Sequence, residues 1–97
     1  MSMHFQSSAH LDLEEITEYL NAQRPELGGR FKEDVQKVLE RIGEAPETYA
    51  KVKKDFRVAP LKRFRDYGIV FTSSGSDVVI HGIISLRRGA WFWRKRF

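Results

Sequence analysis

Cysteine is absent from the 97-residue chain, which rules out a disulfide framework and a thiolate metal site and fits a reducing compartment. No apolar run approaches the roughly 20 residues of a membrane-spanning helix. No basic region followed by an apolar core opens the chain, so a signal peptide is not expected and a cytoplasmic location is. Internal repeats, a glycine-rich phosphate loop, a nucleophile elbow and any His/carboxylate spacing suited to a metal are all missing, so neither a metal nor another cofactor is expected. Histidine is scarce, at three residues. His4 and His10 fall beside a first strand and a first helix, where packing is their ordinary role. His81 sits in mid-strand between Val79 and Ile83, a position that suits local hydrogen bonding better than acid–base work.

What is present describes a folded domain. Hydrophobic residues make up 41% and charged residues 31%, enough apolar material for one modest core, and residues 1–97 are read as a single domain. The net charge of +4 conceals a strong asymmetry. Residues 1–50 carry 5 Lys and Arg against 10 Asp and Glu, net −5, whereas residues 51–97 carry 12 against 3, net +9. A basic half of that size on a small domain points to nucleic acid, to a nucleic-acid-bound machine or to an acidic protein partner.

Periodicity predicts the elements. Met3–Gln6 reads as a short first strand. Ala9, Leu13, Ile16 and Leu20 recur at helical spacing, with Ser7 and Ser8 offered as caps and an end between Asn21 and Arg24 set by Pro25. A second helix begins with Pro25 in its first turn, buries Phe31, Val35, Val38 and Ile42, and stops at Gly43 and Pro46. Gly28-Gly29 predicts a frayed or late start for it. Residues 47–56 read as a polar connection and Arg57–Pro60 as a short strand. Leu61–Phe71 and Val78–Arg88 read as the two strands of a hairpin around Ser73–Asp77, with Val78, Ile80, Gly82 and Ile84 on one face and Val79, His81, Ile83 and Ser85 on the other. The expected architecture is α+β, a two-helix hairpin on a small, twisted, mainly antiparallel sheet. The tail from Ala90 to Phe97, aromatic and basic, reads as a last helical turn or as a segment ordered on binding.

Arg57, Arg63, Arg65, Arg87 and Arg88 fall on or beside adjacent strands and are expected to converge into one patch. Trp91 and Trp93 join it as aromatic candidates, since aromatic and basic residues together suit an interface.

The order strand, two helices, antiparallel strands and basic end resembles the RelE/ParE superfamily of toxins from type II toxin–antitoxin systems. The likeness is carried by Leu13-Glu14-Glu15-Ile16, Tyr19-Leu20, Arg30-Phe31, Ile42, Ala45-Pro46, Tyr49 and Val52. It continues through Arg57, Leu61, Arg63-Phe64, Tyr67, Ile69-Val70-Phe71, Val79-Ile80 and Arg87-Arg88 with Trp91 or Trp93. These match the ParE-like, plasmid-stabilisation branch best. That resemblance implies a toxin that inhibits DNA gyrase and is neutralised by a cognate antitoxin, acidic and partly disordered. The RelE branch implies instead a ribosome-dependent endoribonuclease acting on messenger RNA, for which Lys62, Arg63, Arg65, His81 and Arg88 are the candidates. Against that branch, Gly68 stands where an arginine follows the strand tyrosine, and no tyrosine follows Tyr67. Ser85 stands where ParE-type relatives commonly have histidine, and one residue is added near Arg65-Asp66. A degenerate member that only binds its antitoxin is the third possibility.

Overall fold

Two helical stripes and one amphipathic sheet account for the fold of the chain, a computed structural model that describes residues 2–89 and 95–97. Strand β1 (Ser2–Phe5) leads into helices α1 (Ser7–Gln23) and α2 (Leu27–Glu44). A 3-10 turn at Pro46–Thr48 follows, then β2 (Lys51–Lys53), β3 (Phe56–Pro60), β4 (Tyr67–Ser74), β5 (Asp77–Ser85) and a second 3-10 turn at Leu86–Arg88. The sheet order is β1-β5-β4-β3-β2, with β1 parallel to β5 and every other pair antiparallel. This is the expected α+β arrangement, two helices on a mainly antiparallel sheet.

Helix α2 buries the residues that its spacing selects, whereas in α1 Ala9 and Leu20 are buried and Leu13 and Ile16 only half-buried. Phe31, Val35, Val38 and Ile42 of α2 are each at most 2% exposed. They pack with Ala9 and Leu20 of α1 against Ile69 and Phe71 of β4 and Ile80 and Ile83 of β5. A second, smaller cluster on the opposite sheet face joins Val70 and Ile84 to Val52, Phe56, Val58, Leu86 and Phe97. The alternation of Ile69, Val70 and Phe71 between the two clusters is the pleat of β4.

Several boundaries differ from the sequence reading. Helix α1 starts at Ser7, and no side chain caps it; Ser8 Oγ instead donates to the His81 carbonyl at 2.8 Å. Pro25 lies ahead of α2 rather than inside it. The glycine pair in α2 is not a weak start: Gly28 is buried, donates its N–H to Asn21 Oδ1 at 2.8 Å, and a Cβ there would fall 2.5 Å from the Asn21 amide. It marks the close approach of the two helices. The polar stretch 47–56 contains β2, an edge strand whose Lys51 and Lys53 suit an unpaired edge. Strand β4 begins at Tyr67, not Leu61, because the Arg63 and Phe64 amides are taken by the Asp34 carboxylate. Strand β5 ends at Ser85, and Leu86–Arg88 turns away.

The expected alternation along β5 also breaks. Val70 pairs with Gly82 and Phe71 with Ile80, so His81 is an extra residue in a bulge. The bulge shifts the parity by one, placing Ile80 and Ile83 against the helices and Ile84 on the outer face. The outer edge of β5 beyond β1 is met from α1, where Ser8 Oγ donates to the His81 carbonyl and Asp12 Oδ2 accepts the Ile83 N–H at 2.9 Å. Among the described residues, no helix is long and apolar enough to cross a membrane, and no His/Asp/Glu group is placed to hold a metal ion.

Candidate functional site: a groove between helix α1 and the sheet

Because β1 stops at Phe5, no strand among the described residues lies on the outer side of the second half of β5. A groove of about 700 Å³ runs there, walled by α1 through Asp12, Glu15, Ile16 and Tyr19, and floored by Ile83, Ile84 and Ser85. The 63–67 loop and Arg87 and Arg88 close its other side.

The loop is held from beneath. Asp34, 3% exposed, accepts the Arg63 and Phe64 N–H groups at 2.9 Å each. Phe31 meets the Phe64 and Tyr67 rings edge-on, both at 5.4 Å between centroids, contacts worth about 0.5–1.5 kcal/mol each beyond their burial. The core residue Phe31 thus sets two of the three aromatic side chains that line the groove, Phe64 and Tyr67. Tyr67 N–H donates to the Phe64 carbonyl and Leu86 N–H to the Asp66 carbonyl, which ties the Arg87-Arg88 turn to the same loop. Arg87 and Asp66 pair at 3.7 Å with both side chains largely exposed, so the pair adds little stability and leaves the guanidinium at the rim.

Burial raises the Tyr67 pKa above its ordinary value, helped by Tyr19 and Asp66 and opposed by Arg87 and Arg88. The phenol therefore keeps its proton at neutral pH. The groove has an apolar and aromatic interior, carboxylates of Asp12 and Glu15 along α1, and a basic rim of Arg63, Arg65, Arg87 and Arg88. Such a surface suits an amphipathic segment bearing carboxylates.

Four of the five arginines singled out in the sequence therefore come together. Arg57 does not: it lies on β3, donates to the Tyr49 carbonyl, and its buried Nε has no hydrogen-bond partner among the described residues. It is spent on packing near Tyr49, away from the rim. Lys62 does not line the groove; its carbonyl accepts a long 3.4 Å bond from Arg65 Nε. His81 projects from the other face of the sheet, 2.9 Å from Thr72 Oγ1 and 5.0 Å from the Phe56 ring. Burial lowers its pKa. Trp91 and Trp93 lie outside the described residues. Sequence reasoning missed Asp12, Asp34, Tyr19 and Tyr67 as parts of the site. Asp12 and Asp34 carried a signal, since each stands at a helical spacing that points it inward: Asp12 three residues after Ala9, Asp34 three after Phe31.

The family model described as ParE toxin of type II toxin-antitoxin system, parDE, matches residues 4–90. The fold is also similar to a chain from a structure titled chromosomal ParDE TA system from P. aeruginosa, with a TM-score of 0.74, 19% identity, and coverage of 88% of this chain and 95% of that one. No curated protein matches by sequence. The family match spans both helices, strands β2 to β5 and the end of β1, and on it the chain belongs to the ParE toxin family of type II toxin–antitoxin systems.

Proposed function

We propose that the protein arrests growth by binding DNA gyrase, and that a cognate antitoxin neutralises it by folding an acidic, amphipathic segment into the groove beside α1. The observation that carries the antitoxin half is the convergence of Arg63, Arg65, Arg87 and Arg88 on a single apolar groove. Carboxylates of the segment meet the rim, its apolar side covers Ile16, Tyr19 and Phe64, and burial offsets the cost of ordering it. Gyrase as the target rests on the family, and a binding role is supported by the separation of two of the five nuclease candidates from the other three: Lys62 lies off the groove and His81 behind the sheet.

A second reading, ribosome-dependent cleavage of messenger RNA, draws on Tyr67, whose protonated phenol shares the groove with the four arginines. Such a group has the chemistry of a proton donor to a leaving oxygen. Induction in cells, followed by labelled thymidine and methionine uptake, separates the readings: replication stops first under the proposal, translation first under the alternative. A supercoiling assay then tests the target, because purified protein in stoichiometric excess that leaves gyrase fully active removes it. A protein that is folded, free of antitoxin and yet does not slow growth is a degenerate binder of antitoxin alone.

A further inference from the structure

A separate set of contacts, at the Asp12 end of the groove, meets over Gly82. Arg96 Nη2 donates to Asp12 Oδ2 at 2.7 Å, the same oxygen that accepts the Ile83 N–H. The Asp12 side chain is only 14% exposed and that of Arg96 37%, so water screens this pair far less than the Arg87–Asp66 pair. The next residue, Phe97, packs on the outer sheet face, its ring 5.5 Å from Phe56 and 6.4 Å from His81. Gly82 lies between the two anchors. A Cβ at that position would stand 2.9 Å from both Asp12 Oδ2 and the Phe97 ring, and 3.0 Å from Arg96 Nη2. Only a residue without a side chain lets the tail cross β5 here.

We propose that Arg96–Phe97 is a releasable clasp, in which Arg96 closes the Asp12 end of the groove while Phe97 caps the outer apolar face, so that the two open together. The Arg96 guanidinium also lies over the Phe97 ring, 5.0 Å from its centroid, so each anchor steadies the other and release of either removes a contact of its neighbour. A cation that takes Asp12 from Arg96 therefore loosens Phe97 from Phe56 and favours uncovering of the cluster around Val58 and Leu86. The inference concerns the free chain and does not depend on which partner fills the groove.

The test uses the full chain. Asp12→Asn keeps an acceptor for the Ile83 N–H and removes the ion pair. Loss of a charge-assisted bond in a locally opening segment should speed trypsin cleavage after Lys95 by about tenfold. The His81 ring-proton resonances should move toward their positions in Phe97→Ala, where the ring current of Phe97 is gone. Arg96→Gln should reproduce that shift without altering α1, which separates clasp release from damage to the helix. The clasp is overturned if Asp12→Asn and Arg96→Gln leave the His81 resonances at their wild-type positions, since Phe97 then stays seated without Arg96. It is equally overturned if Phe97→Ala leaves cleavage after Lys95 unchanged.

Discussion

Removing the Asp34 carboxylate should loosen the groove while sparing the rest of the core. Its Oδ2 accepts two amide hydrogens at 2.9 Å from a site that is 3% exposed. Hydrogen bonds to charged groups contribute about 1.5–3 kcal/mol each. The Arg63 and Phe64 amides belong to a surface loop that can open to water, so the lower end of that range applies, and Asp34→Ala should cost about 3 kcal/mol. At about 4–8 °C per kcal/mol for a domain of this size, the melting midpoint should fall by about 15 °C. Asp34→Asn retains an acceptor of the same shape, and with neutral bonds roughly half as strong as charge-assisted ones it should lose about half as much. Thermal and urea unfolding followed by circular dichroism give the stabilities, and hydrogen exchange at the Arg63 and Phe64 amides gives the local effect. If Asp34→Ala loses less than about 1 kcal/mol, or if Asn is as harmful as Ala, the carboxylate does not anchor the loop as argued.

Two further outcomes follow from the packing. Burial holds His81 below its ordinary pKa of about 6.5, so as pH falls below that value the unfolded chain takes up the proton first. Stability should then decline from about pH 6.5 down through the folded-state value, and His81→Gln should flatten that part of the urea-midpoint profile; parallel profiles would contradict the burial. Gly28→Ala would gain about 1 kcal/mol of helix propensity but drives a methyl group into Asn21 and breaks the Asn21–Gly28 bond. A net loss of about 1 kcal/mol is expected, smaller in Asn21→Ala/Gly28→Ala than the sum of the two single changes. Stabilisation by the single alanine would show that the helices do not approach closely there.

The helices were legible because each buries an apolar stripe of four, three, four spacing, a signal that survives whatever packs against it. The hairpin was legible too, but the spacing of Leu61 and Phe64 among basic residues imitates a strand and starts the first one six residues early, at Leu61 instead of Tyr67. The amides of that segment answer to Asp34, a partner 29 and 30 positions away, and no local pattern records it. Strand β2 escaped notice because a three-residue, lysine-rich edge strand looks like a loop. The bulge at His81 was equally invisible, and missing it misplaced Ile83 and Ile84. Within the site, the four rim arginines were readable from their places in the segments that flank the hairpin strands β4 and β5. Arg57 was assigned to the same patch because it falls on an adjacent strand, but strand neighbours need not share a face, and its side chain turns back to the Tyr49 carbonyl.

The central claim, that the basic rim of the α1 groove receives an acidic antitoxin segment, is tested most directly by calorimetric titration of the protein with the product of the small open reading frame beside its gene. The measurement is made at low and at physiological ionic strength, for wild type and for Arg87→Glu/Arg88→Glu. The account expects the double variant to bind at least about tenfold more weakly, with a shallower dependence on salt, because two attractive contacts become repulsive at the rim. Unchanged affinity with unchanged salt dependence would place the antitoxin somewhere other than this groove.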